Sequence, residues 1–246
     1  MANDLLFITG ASSDIGAALI RHVLAKQPAT TVLAHSFTGG ERIAALQKEF
    51  GEDRIVSLTA DLSDAASVAA LADKVLAIGT PRAFVHLPAL RLNYDRFTKL
   101  KWDRFDQDMG VQVQAAGVLL QKMLPKMAKL PGARVVFLLS SVVHGVPPKF
   151  MAGYTVVKYA QLGLMRSLAA EYAATSVRIN AISPSMVDTQ FLNDLSELAV
   201  EMSASSNPLG RNAKTSDLLG PFELLLSTAS DYIHGVVIPV TAGVSV

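Results

Sequence analysis

Leu5-Leu6-Phe7-Ile8-Thr9-Gly10-Ala11-Ser12-Ser13-Asp14-Ile15-Gly16 is the stretch that decides the fold. Leu5–Thr9 is a short apolar run of the kind that forms a buried strand, and from Ile15 to Lys26 apolar residues recur at helical spacing. Between them lies a turn marked by glycine. A strand-to-helix turn presents backbone N–H groups and the positive end of a helix, which together suit a diphosphate. Gly10 suits the tight turn, and Gly16 suits close packing of the helix. The same residues also read as an ordinary loop with Asp14 as N-cap. A carboxylate at Asp14 is a poor neighbour for a diphosphate, because like charges in a partly desolvated pocket repel. It either caps the helix or points outward.

Outward from this stretch the alternation repeats. Thr31–His35, Ile55–Thr59, Ala83–Leu87, Arg134–Leu139, Val177–Ile182 and Val236–Val240 read as further strands. Glu41–Phe50, Ala65–Ile78, Trp102–Met127, Tyr154–Ala173 and Thr215–Thr228 read as the helices between them. The strands are continuous apolar runs rather than in/out alternations, as expected where helices cover both sheet faces. Strict strand-then-helix order implies right-handed crossovers. The expected fold is α/β: a single Rossmann-type, doubly wound parallel sheet of about seven strands, in one domain over 1–246. From Ser183 to Lys214 the rhythm fails, and 186–213 is expected to be a substrate lid beyond a strand's carboxyl end.

Composition narrows the function. Half the residues are hydrophobic and 17% are charged, so the chain can bury a large core. Lys plus Arg total 22 against 21 Asp plus Glu, a net charge of +1. That balance argues against a nucleic-acid partner held by a global positive field. With no cysteine there is no disulfide, thiolate metal site or cysteine nucleophile, and no metal is expected. Mean hydropathy is +0.34, yet the apolar runs fall short of the ~18 residues a membrane span needs. The first residues lack the pattern of a secretory signal. The expectation is a soluble cytoplasmic protein.

Tyr154 and Lys158 are four residues apart and share a helix face. A phenol, ordinarily near pKa ~10, shuttles protons poorly at neutral pH, and a nearby ammonium favours its ionised form. A serine at the end of the preceding strand would offer a hydroxyl to a reacting carbonyl. A surface Tyr/Lys pair has the same spacing, so these residues alone leave both readings open.

The whole chain from Leu5 to Gly243 resembles the short-chain dehydrogenase/reductase family, and within it the 3-oxoacyl-[acyl-carrier-protein] reductase-like members. Tyr154-x-x-x-Lys158 resembles the active-site pair, and Ser141 stands 13 residues upstream at the family's serine spacing. Thr9–Gly16 is similar to the cofactor turn, Ala60-Asp61-Leu62 to the adenine-contacting segment, and Arg178–Thr189 to the stretch facing nicotinamide. Pro208–Arg211 and Ser230–Ile233 match the closing segments.

The resemblance implies roles. Tyr154 is the general acid in carbonyl reduction, Lys158 binds the nicotinamide ribose and lowers the phenol's pKa, and Ser141 polarises the carbonyl. Gln114 aligns with the asparagine of the proton relay. Gly10, Ser12, Ser13, Asp14, Ile15 and Gly16 cradle the diphosphate, Asp61 and Leu62 the adenine. Pro184, Val187 and Thr189 hold the nicotinamide. No Asp or Glu occurs from Thr31 through Gly40, where a ribose-binding acid would stand. Ser36 and Thr38, with Arg42 near, suit a 2′-phosphate, which tilts the cofactor towards NADP over NAD.

Departures accompany the match. Asp14 replaces a motif glycine, and His86-Leu87-Pro88-Ala89 stands where the family has Asn-Asn-Ala-Gly. His86 is expected to make a structural hydrogen bond, His144 to sit on the pocket rim, and Trp102 to serve packing or an interface. Lys122, Lys126 and Lys129 either greet an acidic acyl carrier protein or form a solvated helix end. The expected activity is reduction of a ketone such as a 3-oxoacyl thioester on acyl carrier protein or CoA. The alternatives are oxidation of a cyclic, steroid-like or sugar alcohol, or a weakly active cofactor-binding module. Apolar residues on several helix faces, among them Val118 and Leu164, together with the resemblance, imply a homotetramer.

Overall fold

A computed structural model describes residues 4–38, 40–92 and 94–244. Among them, strands β1 (Asp4–Thr9), β2 (Thr30–Ser36), β3 (Ile55–Thr59), β4 (Ala83–His86), β5 (Arg134–Leu138), β6 (Arg178–Pro184) and β7 (Val237–Val240) form one sheet. The order is β3-β2-β1-β4-β5-β6-β7 and every pairing is parallel. The helices are α1 (Asp14–Lys26), α2 (Gly40–Phe50), α3 (Ala65–Ile78), α4 (Trp102–Met109), α5 (Ala115–Met127), α6 (Ala152–Glu171), α7 (Glu197–Ser206) and α8 (Thr215–Leu226).

Apolar clusters lie on both sheet faces, which is why the central strands carry no polar alternation. On one face Phe7, Phe84, Val135 and Ile179 meet residues of α3, α5 and α6, with the Phe7 and Phe84 rings stacked 5.2 Å apart. On the other, Ile8, Val32, Val85 and Ile182 meet α1, α2 and α8. Strand order reverses between β1 and β4, so the loops at their carboxyl ends diverge and leave a crevice.

Two elements differ from expectation. The single helix expected over Trp102–Met127 is interrupted by a π-helical turn, Gly110–Gln114, between α4 and α5. There the Gln112 carbonyl accepts hydrogen bonds from His86 Nε2 at 3.0 Å and Gln161 Nε2 at 3.3 Å. Side chains that enter a helical ladder in this way are a recognised cause of such bulges. The segment expected to be irregular, 186–213, contains α7, capped by Ser196 on the amide of Ala199. No helix among the described residues is long and apolar enough to cross a membrane.

Candidate active site

A cleft of about 840 Å³ opens along the carboxyl ends of the strands. The β1–α1 turn, the ends of β2 through β6 and the segment after β6 each contribute to its wall.

Two glycines shape the turn. Gly10 has φ +70°, and a Cβ there would lie 3.2 Å from Pro88 N. A Cβ on Gly16 would lie 2.6 Å from the Ala11 carbonyl oxygen, so this glycine lets α1 close against its own turn rather than face the cleft. The N-cap is Ser13, whose Oγ accepts from Gly16 N at 3.0 Å, and not Asp14. Among the described residues the amides of Ser12, Asp14 and Ile15 have no protein acceptor. Three free donors at a helix N-terminus fit a diphosphate. Asp14 turns its carboxylate aside, to Arg42 Nη1 at 2.9 Å and to the amide of Gln190 at 2.8 Å.

His35 braces the turn from below. It is buried; its Nε2–H donates to the Ala60 carbonyl at 3.1 Å, which leaves Nδ1 to accept from Gly10 N at 3.3 Å. Burial lowers its pKa, against the opposing Ala60 hydrogen bond. His35, Phe37 and Arg42 line the cleft with Asp61 and Leu62. Ser36 does not: its side chain is buried, because alternation along β2 turns it to the sheet face opposite its neighbours His35 and Phe37. The Ser36 expectation is therefore corrected, and Arg42 is the basic group at this end.

At the other end stand Ser140, Ser141, Tyr154 and Lys158, with Pro184, Val187 and Thr189 opposite. Thr189 Oγ1 donates to the Val187 carbonyl at 3.2 Å. Lys158 is buried and donates to the Leu138 carbonyl at 2.9 Å and to Gln161 Oε1 at 3.1 Å. Burial pushes its pKa down to about 7, with Asp108 opposing. Its Nζ lies 5.7 Å from the Tyr154 ring centroid, over the ring face. Burial pushes the Tyr154 phenol up to about 12; the Asp108 carboxylate and Tyr94 add to the rise and a hydrogen bond with Ser140 opposes it. Desolvation thus raises the phenol and also weakens the lysine's own charge. Ser140 and Ser141 both line the cleft with Tyr154.

Gln114 is exposed and lies off the cleft wall, so its expected place in the site is corrected. The buried residue is Gln112, two positions earlier, whose Nε2 donates to Asp108 Oδ1 at 2.6 Å while its Oε1 has no partner. Its carbonyl joins His86, whose Nε2–H it accepts, so that His86 Nδ1 receives the Thr9 hydroxyl at 2.8 Å. Burial, with Lys158 adding, lowers His86 to about 3 and keeps it neutral. This is the structural bond expected of His86. His144, on the cleft wall, places Nε2 2.7 Å from Ser183 Oγ. Lys122 is paired with Asp73 at 2.6 Å, and neither it, Lys126 nor Lys129 lines the cleft. Trp102 packs edge-on against Phe105 and is otherwise largely exposed.

Comparison with known proteins bears on this arrangement. Residues 10–245 match the family model described as Enoyl-(Acyl carrier protein) reductase. The chain is 27% identical over 256 residues to cis-4-hydroxycyclohexanecarboxylate dehydrogenase of Sinomonas cyclohexanicum, covering 98% of this chain and 96% of that one. It is 26% identical to a 3-oxoacyl-[acyl-carrier-protein] reductase of Pseudomonas aeruginosa, over 96% of this chain and 95% of that one. A crystal structure of a putative NAD(P)-dependent gluconate 5-dehydrogenase from Beutenbergia cavernae, with bound NADP at low occupancy, is 30% identical. It superposes with a TM-score of 0.85 over 99% of this chain and 97% of that one.

Proposed function

Because the chain belongs to the short-chain dehydrogenase/reductase family and is an oxidoreductase of that kind, we propose that it reduces an apolar ketone to a secondary alcohol, with NADPH preferred over NADH. The observation that carries this reading is the half-buried Tyr154 on the cleft wall with Ser140 and Ser141, the buried Lys158 Nζ lying 5.7 Å from its ring centroid. A neutral phenol is the form that donates a proton to the oxygen of a carbonyl being reduced. When bound, the nicotinamide supplies the hydride. Tyr154 supplies the proton, Ser140 and Ser141 hold the carbonyl oxygen, and Lys158 binds the ribose.

The free amides of the β1–α1 turn support diphosphate binding, and Asp61 and Leu62 support the adenine end. The absence of an acid on β2, with Arg42 on the wall, favours a 2′-phosphate; NADP in the Beutenbergia cavernae structure is consistent with it. Val187, Thr189 and Pro184 face the nicotinamide, and 186–213 closes over the substrate. Leu92, Val146, Met151, Phe191, Leu192 and Met202 line the cleft and suit an acyl chain or a carbocycle over a sugar. A 3-oxoacyl thioester, on CoA or acyl carrier protein, is the first substrate to test, and a cyclohexanone the second.

The assembly is a homotetramer. Exposed Val156 and Tyr159 on α6, with open space over Gly117 and Gly163, support helix pairing between subunits. Light scattering at four chain masses is the expected result. NADPH should raise the melting temperature more than NADH does, as tighter binding requires. Turnover of acyl or cyclic ketones should exceed that of sugar ketones. An equal response to both nucleotides removes the cofactor preference, and no turnover of any ketone favours a binding module.

A further inference from the structure

Asp14 stands where the family resemblance places glycine, and its two carboxylate oxygens serve different parts of the molecule. Oδ1 lies 2.9 Å from Arg42 Nη1 on α2, and that guanidinium also donates to the Ser12 carbonyl at 2.9 Å. Oδ2 accepts the backbone N–H of Gln190 at 2.8 Å, across 176 positions of sequence. Gln190 opens the short helical turn Gln190–Leu192, directly after Val187 and Thr189 on the cleft wall. On its other side this stretch is held by the Val187–Ala213 bridge and by Asp188 N on the Ala213 carbonyl at 2.8 Å. Farther along, Asp194 pairs with Arg91 at 2.9 Å, but both side chains are well exposed. An exposed pair of that kind contributes little. Among the described residues Asp14 makes a charge-assisted tie, itself on the exposed side, from the turn to the segment facing it.

We propose that Asp14 is a positioning residue that clasps the 186–213 segment to the cofactor turn and so fixes Val187–Gln190 over the cleft. Arg42 neutralises the carboxylate, which lets an acid stand beside a diphosphate site without repelling its ligand. Only the cofactor-release consequence rests on the NADPH reading; the clasp itself does not.

Two substitutions separate the acceptor from the charge. Asp14→Asn keeps an oxygen for the Gln190 amide and loses the ion pair, whereas Asp14→Ala loses both. In hydrogen exchange on the protein without nucleotide, the Gln190 amide of Asp14→Ala should exchange about tenfold faster than wild type. In Asp14→Asn it should stay within about threefold. With NADPH, trapping experiments should give release from Asp14→Ala about tenfold faster than from Asp14→Asn. Wild-type exchange at Gln190 in Asp14→Ala would overturn the clasp, as would equal NADPH release from both variants. If exchange behaves as expected but wild type binds no NADPH, the clasp stands and the cofactor reading falls.

Discussion

His86 joins two halves of the sheet through one ring: Thr9 on β1 donates to Nδ1, and Nε2 donates to the carbonyl at the π-helical turn. Replacing it by leucine removes both bonds while keeping bulk, and should cost about 1–3 kcal/mol in urea unfolding. An unchanged midpoint would mean the ring only fills space. The two glutamines form a matched pair. Gln114→Ala, on the exposed face, should stay within about 0.5 kcal/mol of wild type with full activity. Gln112→Ala, which leaves Asp108 Oδ1 with only the Leu90 amide at 3.3 Å, should lose about 1–2 kcal/mol and activity with it. The pairing of Tyr154 with Lys158 was legible in sequence because four positions on a helix make one face. The choice of Gln112 was not. Alignment by counting back along an unbroken helix misses a π-turn, which shifts register without altering the apolar pattern. Nor does sequence reveal that burial, rather than the neighbouring amine, dominates the Tyr154 phenol.

At the scale of elements, the central strands were readable because they are buried on both faces, so hydrophobic runs and strands coincide there. Seven expected strands reappear with ends shifted by a residue or two, as at β6, which runs on to Pro184. Helix α7 was not readable, because its surroundings are serines and asparagines and it buries none of its residues fully. The turn between β1 and α1 is closed against backbone. A methyl on Gly16 would meet backbone oxygen at 2.6 Å, and backbone cannot swing aside as a side chain does. Gly16→Ala should therefore destabilise by about 1–3 kcal/mol and weaken NADPH binding, read by thermal shift with and without nucleotide. An alanine variant as stable as wild type would show that α1 can retreat from its turn.

For the whole molecule, the buried histidines tie stability to pH. The unfolded chain protonates His86 near its ordinary 6.5, whereas the folded protein holds it neutral down to about 3. Between these values the unfolded state binds more protons, so stability falls as pH drops, by up to about 1.4 kcal/mol per pH unit for this one group. His35, also lowered by burial, acts in the same direction. Urea unfolding from pH 7 to pH 4.5 should show the decline, with a shallower slope in His86→Asn; equal slopes would contradict it. His35 also holds the Gly10 amide of the cofactor turn, so acid should loosen that turn as it destabilises the fold. The central claim is that Tyr154 delivers the proton to a ketone while the nucleotide delivers the hydride. Its most direct test is NADPH oxidation at 340 nm (the reduced nicotinamide band) with 3-oxoacyl and cyclic ketones, comparing wild type with Tyr154→Phe. Wild type should turn over, Tyr154→Phe should be slower by about 10²–10⁴-fold, and both should bind NADPH. Phenylalanine at wild-type rate, or a wild type that oxidises NADPH with none of these ketones, would contradict it.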